Sequence, residues 1–173
     1  MFFASCRANI GHAFNLSAFA MIFFVIRDVK AGEQLFYSYC GLEKSASERK
    51  AELAPYGITQ CICAACVNAT PETDAFRKTF RARIQEYSRQ SSIWPRLPKF
   101  PVEILDDLLR FQRAAVEEGL ETDNKYWLVF LPTLMTAYQM AGRNNGPEAT
   151  LVIQEMARWA DFLKSKQAME SSQ

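Results

Sequence analysis

Cys61-Ile62-Cys63-Ala64-Ala65-Cys66 sets three thiols in C-x-C-x-x-C spacing, and a fourth, Cys6, stands far upstream in Ser5-Cys6-Arg7-Ala8-Asn9. Four thiolates complete a tetrahedral zinc site. If Cys6 joins Cys61, Cys63 and Cys66 on one Zn2+, the metal ties the first residues to a turn far along the chain. Everything between must then fold to bring them together. Five cysteines, an odd number with three crowded into one turn, fit metal ligation in a reducing compartment better than a disulfide framework. Cytosol or nucleus is the expected location. The competing reading leaves the trio unmetallated and makes Cys6 a small buried apolar residue. Cys40 sits apart in sequence and reads as a packed free thiol.

Upstream of the turn, Ile10 to Phe14 and Ser17 to Val29 are rich in Phe, Ile and Val, with Asn15-Leu16-Ser17 between them. This predicts an antiparallel hairpin. Lys30-Ala31-Gly32-Glu33 reads as a second turn, and Gln34 to Tyr39 as a strand with Tyr37 and Tyr39 on one face. Ser45 and Glu48 form a capping box for a short helix that Pro55 stops, and Gly57 then opens the cysteine turn.

From Asp74 the texture changes, and apolar residues recur at three- and four-residue spacing. Four helices are predicted: Asp74 to Gln90, Pro101 to Gly119, Asn124 to Ala141 and Pro147 to Lys166. Phe76, Phe80 and Ile84 stripe the first, and Ile104, Leu108, Phe111 and Ala115 the second. The three prolines of Trp94 to Pro101 predict an extended surface linker, Pro132 a kink, and the last two helices an antiparallel hairpin. The expected fold class is therefore α+β, with a β-rich part over residues 1–70 and an all-α region over residues 71–173.

In the 173 residues, 20 lysines and arginines balance 19 acidic residues, which excludes an electrostatic case for nucleic acid or an anionic membrane surface. The apolar run Ala18 to Ile26 is far shorter than the roughly 20 residues that cross a bilayer. Polar Ser5, Arg7 and Asn9 directly after Met1-Phe2-Phe3 speak against a cleavable signal. His12, the single histidine, reads as a packed or surface residue on an apolar strand.

Ser5-Cys6-Arg7-Ala8-Asn9, the run Ile26 to Tyr39 with Gly32-Glu33-Gln34-Leu35 inside it, and Tyr56-Gly57-Ile58 before the C-x-C-x-x-C turn together resemble the C-terminal half of a SET domain with its post-SET zinc motif. With the helical tail, the resemblance is to SMYD-like and fungal SET proteins, over about the first 70 residues. It implies S-adenosylmethionine-dependent methyl transfer to a protein lysine, and one structural Zn2+ on Cys6, Cys61, Cys63 and Cys66. It further implies Tyr39 as the catalytic tyrosine, Tyr37 and Tyr56 in the substrate channel, and Ala4, Asn9 and Ile58 at the cofactor. A free tyrosine ionises near ~10, so Tyr39 is expected to position the amine by hydrogen bonding. A strand-end tyrosine that only packs its ring is the structural alternative.

The match has departures. Phe3 and Ala4 stand where the family has Asn-His, Ala8 replaces a proline, and Ile58 falls where an aromatic ring often covers the adenine. The N-terminal, cofactor-binding half of the fold is expected upstream of where this chain begins. An alternative reading is a non-catalytic, zinc-stabilised SET remnant whose helices bind another protein. The expected partner is thus a protein, as substrate or ligand, and nothing in the residues sets the oligomeric state.

Overall fold

The computed structural model describes residues 3–16 and 18–171, giving for residues 3, 13 and 165–171 the backbone alone. It is an α+β structure with two small two-stranded sheets and mostly helices. It divides into two compact units, Met1–Phe80 with Ala115–Thr122, and Arg81–Ala114 with Asp123–Gln173. The units are not consecutive segments: beyond residue 70, the first also takes in residues 71–80 and 115–122.

In the first unit, β1 (Phe3–Ala4) is followed by β2 (Ile10–Asn15) and β3 (Ala20–Val25), which pair antiparallel from Ile10↔Val25 to Asn15↔Ala20. The hairpin is the expected one, but its second strand is shorter at both ends. Ser17, where that strand was expected to begin, lies outside the described residues. The Asn15 Oδ1 accepts from the Ala18 amide at 3.0 Å, and Phe19 takes a left-handed φ of 46°, so the connection extends to Phe19. At the other end the Arg27 guanidinium is drawn away to Glu121 at 2.9 Å and to the Gly119 carbonyl at 3.1 Å. Phe14, Met21, Phe23 and Val25 keep apolar surface exposed along the hairpin.

The strand expected over Gln34 to Tyr39 contracts to β4 (Phe36–Tyr37), which pairs parallel with β1 in the register Phe3↔Phe36 and Ala4↔Tyr37. A side chain replaces part of the ladder. The Asn9 Oδ1 accepts from the Phe36 amide at 2.7 Å, its Nδ2 donates to the Gln34 carbonyl at 2.9 Å, and its own amide donates to the Phe36 carbonyl at 3.1 Å. With its backbone groups satisfied by Asn9, the segment has no need of a longer partner strand.

Helix α1 (Ala46–Leu53) starts at the Ser45–Glu48 capping box and ends in a single 3-10 turn, Ala54–Tyr56, that accommodates Pro55. Hydrogen bonds from the Ser45 hydroxyl and amide draw the Glu48 carboxyl down to about 2. Gly57, at φ 74°, reverses the chain into the cysteine turn, where α2 (Ala64–Val67) begins directly after Cys63. Helix α3 (Pro71–Ser91) begins in this unit, and α4 (Val102–Glu118) ends in it.

The turn after α4 is held by two arginines: Arg7 donates to the Val116 carbonyl at 3.2 Å, and Arg27 bonds Gly119 and Glu121 as above. Gly119 has φ 76°, and a Cβ there would lie 2.8 Å from the Arg7 Cγ and 2.9 Å from an Arg27 nitrogen. Gly119→Ala combines a left-handed residue with a collision against two anchored side chains. It is expected to cost about 2–3 kcal/mol, read by urea unfolding. A loss below about 0.5 kcal/mol would show that the arginines swing aside freely.

In the second unit the expected surface linker is corrected. Trp94–Arg96 form a 3-10 turn, Trp94 is 1% exposed, and its ring packs edge-on against buried Phe100 at 5.4 Å. Proline bars an α-helix but not a 3-10 turn, and an indole this large gains more by burial than by solvation. Tyr87, Phe111 and Phe130 stack into one aromatic core with centroid separations of 5.0–6.4 Å. The expected kink at Pro132 is displaced. Tyr126–Phe130 form a π-helical turn, and Pro132 sits in the first turn of α5 (Leu131–Met140), where a missing N–H leaves no bond unmade. Helix α6 (Pro147–Ser171) folds back along α5, and Trp127 lies flat on Trp159 at 4.8 Å. Among the described residues no helix is long and apolar enough to cross a membrane.

Candidate metal centre and adjoining cavity

The parallel pairing of β1 with β4 is what builds the site. Two residues beyond Ala4 the chain reaches Cys6, and the Ser5 amide bonds the Tyr37 carbonyl at 3.0 Å, which holds this segment alongside residues 37–40. Cys6 is fully buried. From the other side, the Cys66 amide bonds the Cys63 carbonyl at 2.9 Å, and this tight turn points both thiols toward Cys6. The Cys6 Sγ lies 4.0 Å from that of Cys61 and 3.5 Å from that of Cys66.

The Sγ atoms of Cys6, Cys61, Cys63 and Cys66 all lie within 4.8 Å of one another. Ligands about 2.3 Å from a central ion in tetrahedral array stand roughly 3.8 Å apart, and the two measured separations bracket that edge. The electrostatics agree. Hydrogen bonds with Cys40, Cys63 and Cys66, together with burial, hold the Cys6 thiol well above its ordinary range, while hydrogen bonds from Cys6 and Cys66 push Cys63 below it. Four sulfurs this close do not all ionise without a cation between them, and a bound metal ion supplies that cation. The four cysteines therefore form a set that can hold a metal ion.

Cys40 is not apart. Its Sγ lies 3.5 Å from that of Cys6, and its pKa is drawn down to about 7, chiefly by the Cys6 hydrogen bond. Sequence distance misled here, because the β1–β4 register brings residues 34 positions apart into contact. Cys40 nonetheless falls outside the set of four whose sulfurs are all mutually close.

Arg49 was not foreseen. On α1 it shares a face with Leu53, and both are buried. That spacing, an arginine one turn before a core leucine, is the signal that the sequence offered. The Arg49 guanidinium donates to the Lys44 and Ala65 carbonyls, and an Nη2 lies 3.6 Å from the Cys66 Sγ.

Beside the thiols opens a cavity of about 760 Å³. Ala4, Asn9 and Ile58 all line it, together with Cys61, Cys63 and the charged Arg27. The Asn9 side chain is already committed, since its Nδ2 also reaches Glu33 at 3.3 Å in addition to the strand bonds described above. Ala4 and Ile58 bring backbone and apolar surface. The tyrosines form a separate row, with ring centroids of Tyr37 and Tyr39 at 5.1 Å and of Tyr39 and Tyr56 at 4.9 Å. None of the three belongs to the cavity lining. Burial, with Tyr39 and Tyr56 alongside, holds the Tyr37 phenol above its ordinary range. His12 extends the row, with its Nε2 3.1 Å from the Tyr37 hydroxyl, a contact that the sequence gave no reason to expect.

No family model matches the chain, and no solved structure matches it. A stretch of 61 residues, 35% of the chain, is 31% identical to Histone-lysine N-methyltransferase set5 of Schizosaccharomyces pombe (strain 972 / ATCC 24843). The matched stretch covers 19% of that protein, so the chain spans about a fifth of the curated relative's length. The chain thus contains a region similar to part of a histone-lysine methyltransferase, beside a four-cysteine set that can hold a metal ion.

Proposed function

We propose that this chain carries the cysteine-rich end of a SET-type protein-lysine methyltransferase, with a post-SET zinc turn of the SMYD-like kind. The observation that carries the reading is the cavity wall. The residues at the family's cofactor positions, Ala4, Asn9 and Ile58, meet on one cavity that also touches Cys61 and Cys63. A volume of about 760 Å³ suits a ligand of nucleoside size, and its mixture of apolar and charged lining suits one that is both zwitterionic and purine-bearing. The similarity to a histone-lysine methyltransferase supports the same class.

S-adenosylmethionine, when bound, supplies a methyl group on a positively charged sulfur. The chain's residues do the rest. Ile58 covers an apolar ring face, Ala4 offers backbone hydrogen bonds, and Asn9 acts indirectly by locking β4, which carries Tyr37 and leads into Tyr39. Tyr37, un-ionised at neutral pH, and Tyr56 flank Tyr39, whose hydroxyl would orient the substrate amine. Zn2+ on Cys6, Cys61, Cys63 and Cys66 would serve structure alone, since four protein ligands leave no position for water. The substrate is a protein lysine, and the compartment is cytosol or nucleus.

Calorimetry with S-adenosylmethionine and radiolabelled methyl transfer to a histone mixture test this reading. Ile58→Arg is expected to abolish cofactor binding. Tyr39→Phe is expected to keep binding while slowing transfer by about 100-fold or more. A chain that binds no cofactor at millimolar concentration rules out a self-sufficient site.

A further inference from the structure

We infer that Arg49 is the counter-charge and positioning residue of the metal centre, setting the site's metal affinity and shielding the Cys66 thiolate from electrophiles. The inference rests on the zinc reading above. Two arginines in the first unit are wholly buried, Arg49 and Arg77. Arginine stays protonated in proteins, so each brings a permanent charge out of water and needs an anion nearby. Arg77 has one, with the Glu118 carboxylate 2.7 Å from its Nε. Arg49 has no carboxylate at ion-pair distance among the described residues.

What Arg49 faces instead is sulfur. Its Nη2 bonds the Ala65 carbonyl at 2.9 Å, inside the C-x-x-C turn, and reaches the Cys66 Sγ at 3.6 Å. Its Nε is buried with no acceptor. The fold therefore tolerates an unmade hydrogen bond to keep this cation where it is, a sign that its charge rather than its full set of bonds matters. Neutral or protonated thiols give no reason for that. A divalent ion on four thiolates does, because the assembly carries two net negative charges, and one buried guanidinium halves them.

Two consequences follow from the geometry. The N–H···S bond withdraws electron density from Cys66, which lowers its nucleophilicity while the metal stays bound. The bond to Ala65 fixes the turn between Cys63 and Cys66, so the ligands are arranged before the ion arrives. Partners of this kind are typically worth about 10–100-fold in metal affinity.

Full-length wild type, Arg49→Gln and Arg49→Lys are compared by zinc competition against a chromophoric chelator. Iodoacetamide labelling of Cys66 at saturating zinc and circular dichroism are read on the same samples. The glutamine variant is expected to bind zinc about 10–100-fold more weakly and to label Cys66 several-fold faster. Lysine, which keeps the charge and loses the fork, is expected to recover most of both. A wild-type chain that takes up no zinc overturns the metal reading and this one with it. A wild-type chain that binds zinc no better than Arg49→Gln overturns this inference alone. So does a lysine variant as weak as the glutamine one with unchanged helix content, since Arg49 then only shapes the turn. Should the glutamine variant not fold, the lysine variant decides: affinity within about threefold of wild type supports the charge role, and a loss of tenfold or more overturns it.

Discussion

Cys6→Ser is expected to cut bound zinc from about one ion per chain to a small fraction of that, and to unfold the first unit at temperatures where wild type stands. Cys6 is fully buried at the centre of the thiol set, and it is the only ligand not supplied by the turn. A serine hydroxyl is a poor ligand, so three cysteines within one turn would be left to hold the ion. The unit would also lose the tie between residue 6 and residues 61–66. For structural zinc, binding free energy is folding free energy, of order 10 kcal/mol, so losing even a third of it consumes most of a domain's ordinary margin of roughly 5–15 kcal/mol. Cys40→Ser is the paired control. Cys40 touches Cys6 but lies outside the mutually close set, so its serine variant is expected to keep the metal. Metal analysis of purified protein and thermal melts with and without chelator read both variants. Full zinc and an unchanged melting temperature in Cys6→Ser would refute the split site. Metal loss in Cys40→Ser alone would make Cys40 the fourth ligand.

The second large effect is expected at Arg77, where Arg77→Met should cost about 3–5 kcal/mol. Its side chain is wholly buried, with Nε donating to the Glu118 carboxylate at 2.7 Å and Nη1 to the Leu42 carbonyl at 2.6 Å. A further donor goes to the Glu118 carbonyl, in the last turn of α4. One cation thus answers a carboxylate that the negative end of the α4 dipole disfavours and a terminal carbonyl that has no helical partner. Methionine fills much of the volume but none of these bonds, and it leaves the mostly buried Glu118 carboxylate without its partner. Removing both charges together is expected to cost less than removing the arginine alone, because the uncompensated carboxylate is the larger penalty. Urea unfolding of Arg77→Met, Glu118→Met and the double variant measures this as a double-mutant cycle. A single-variant cost below about 1 kcal/mol would show that water reaches the pair and that its burial contributes little.

How much of this was legible in the residues depends on how local the cause is. The capping box at Ser45 and Glu48 is three residues long and stands as expected. The helices rest on three- and four-residue periodicity, and all were placed, with ends displaced by a few residues. The β part was less legible. A strand's length depends on what its partner offers, and Asn9 does for Phe36 what a longer strand would have done. Trp94 was placed on a surface linker because prolines signal what a segment is barred from, not what its aromatic residues touch.

The same division runs through the site. Spacing alone marked Cys61, Cys63 and Cys66 as ligands, since a C-x-x-C turn converges its thiols whatever surrounds it. Cys6 followed from counting to four, because a closed metal shell has a fixed number of places. Only the tertiary structure decided that Cys40 packs against Cys6, that Arg49 brings its charge to Cys66, and that His12 meets Tyr37. The Cys40 and Cys6 contact hangs on the β1–β4 register, which joins residues 33 positions apart. Pairing of that range is chosen by the energy of the whole fold, and no short stretch of sequence carries a mark of it.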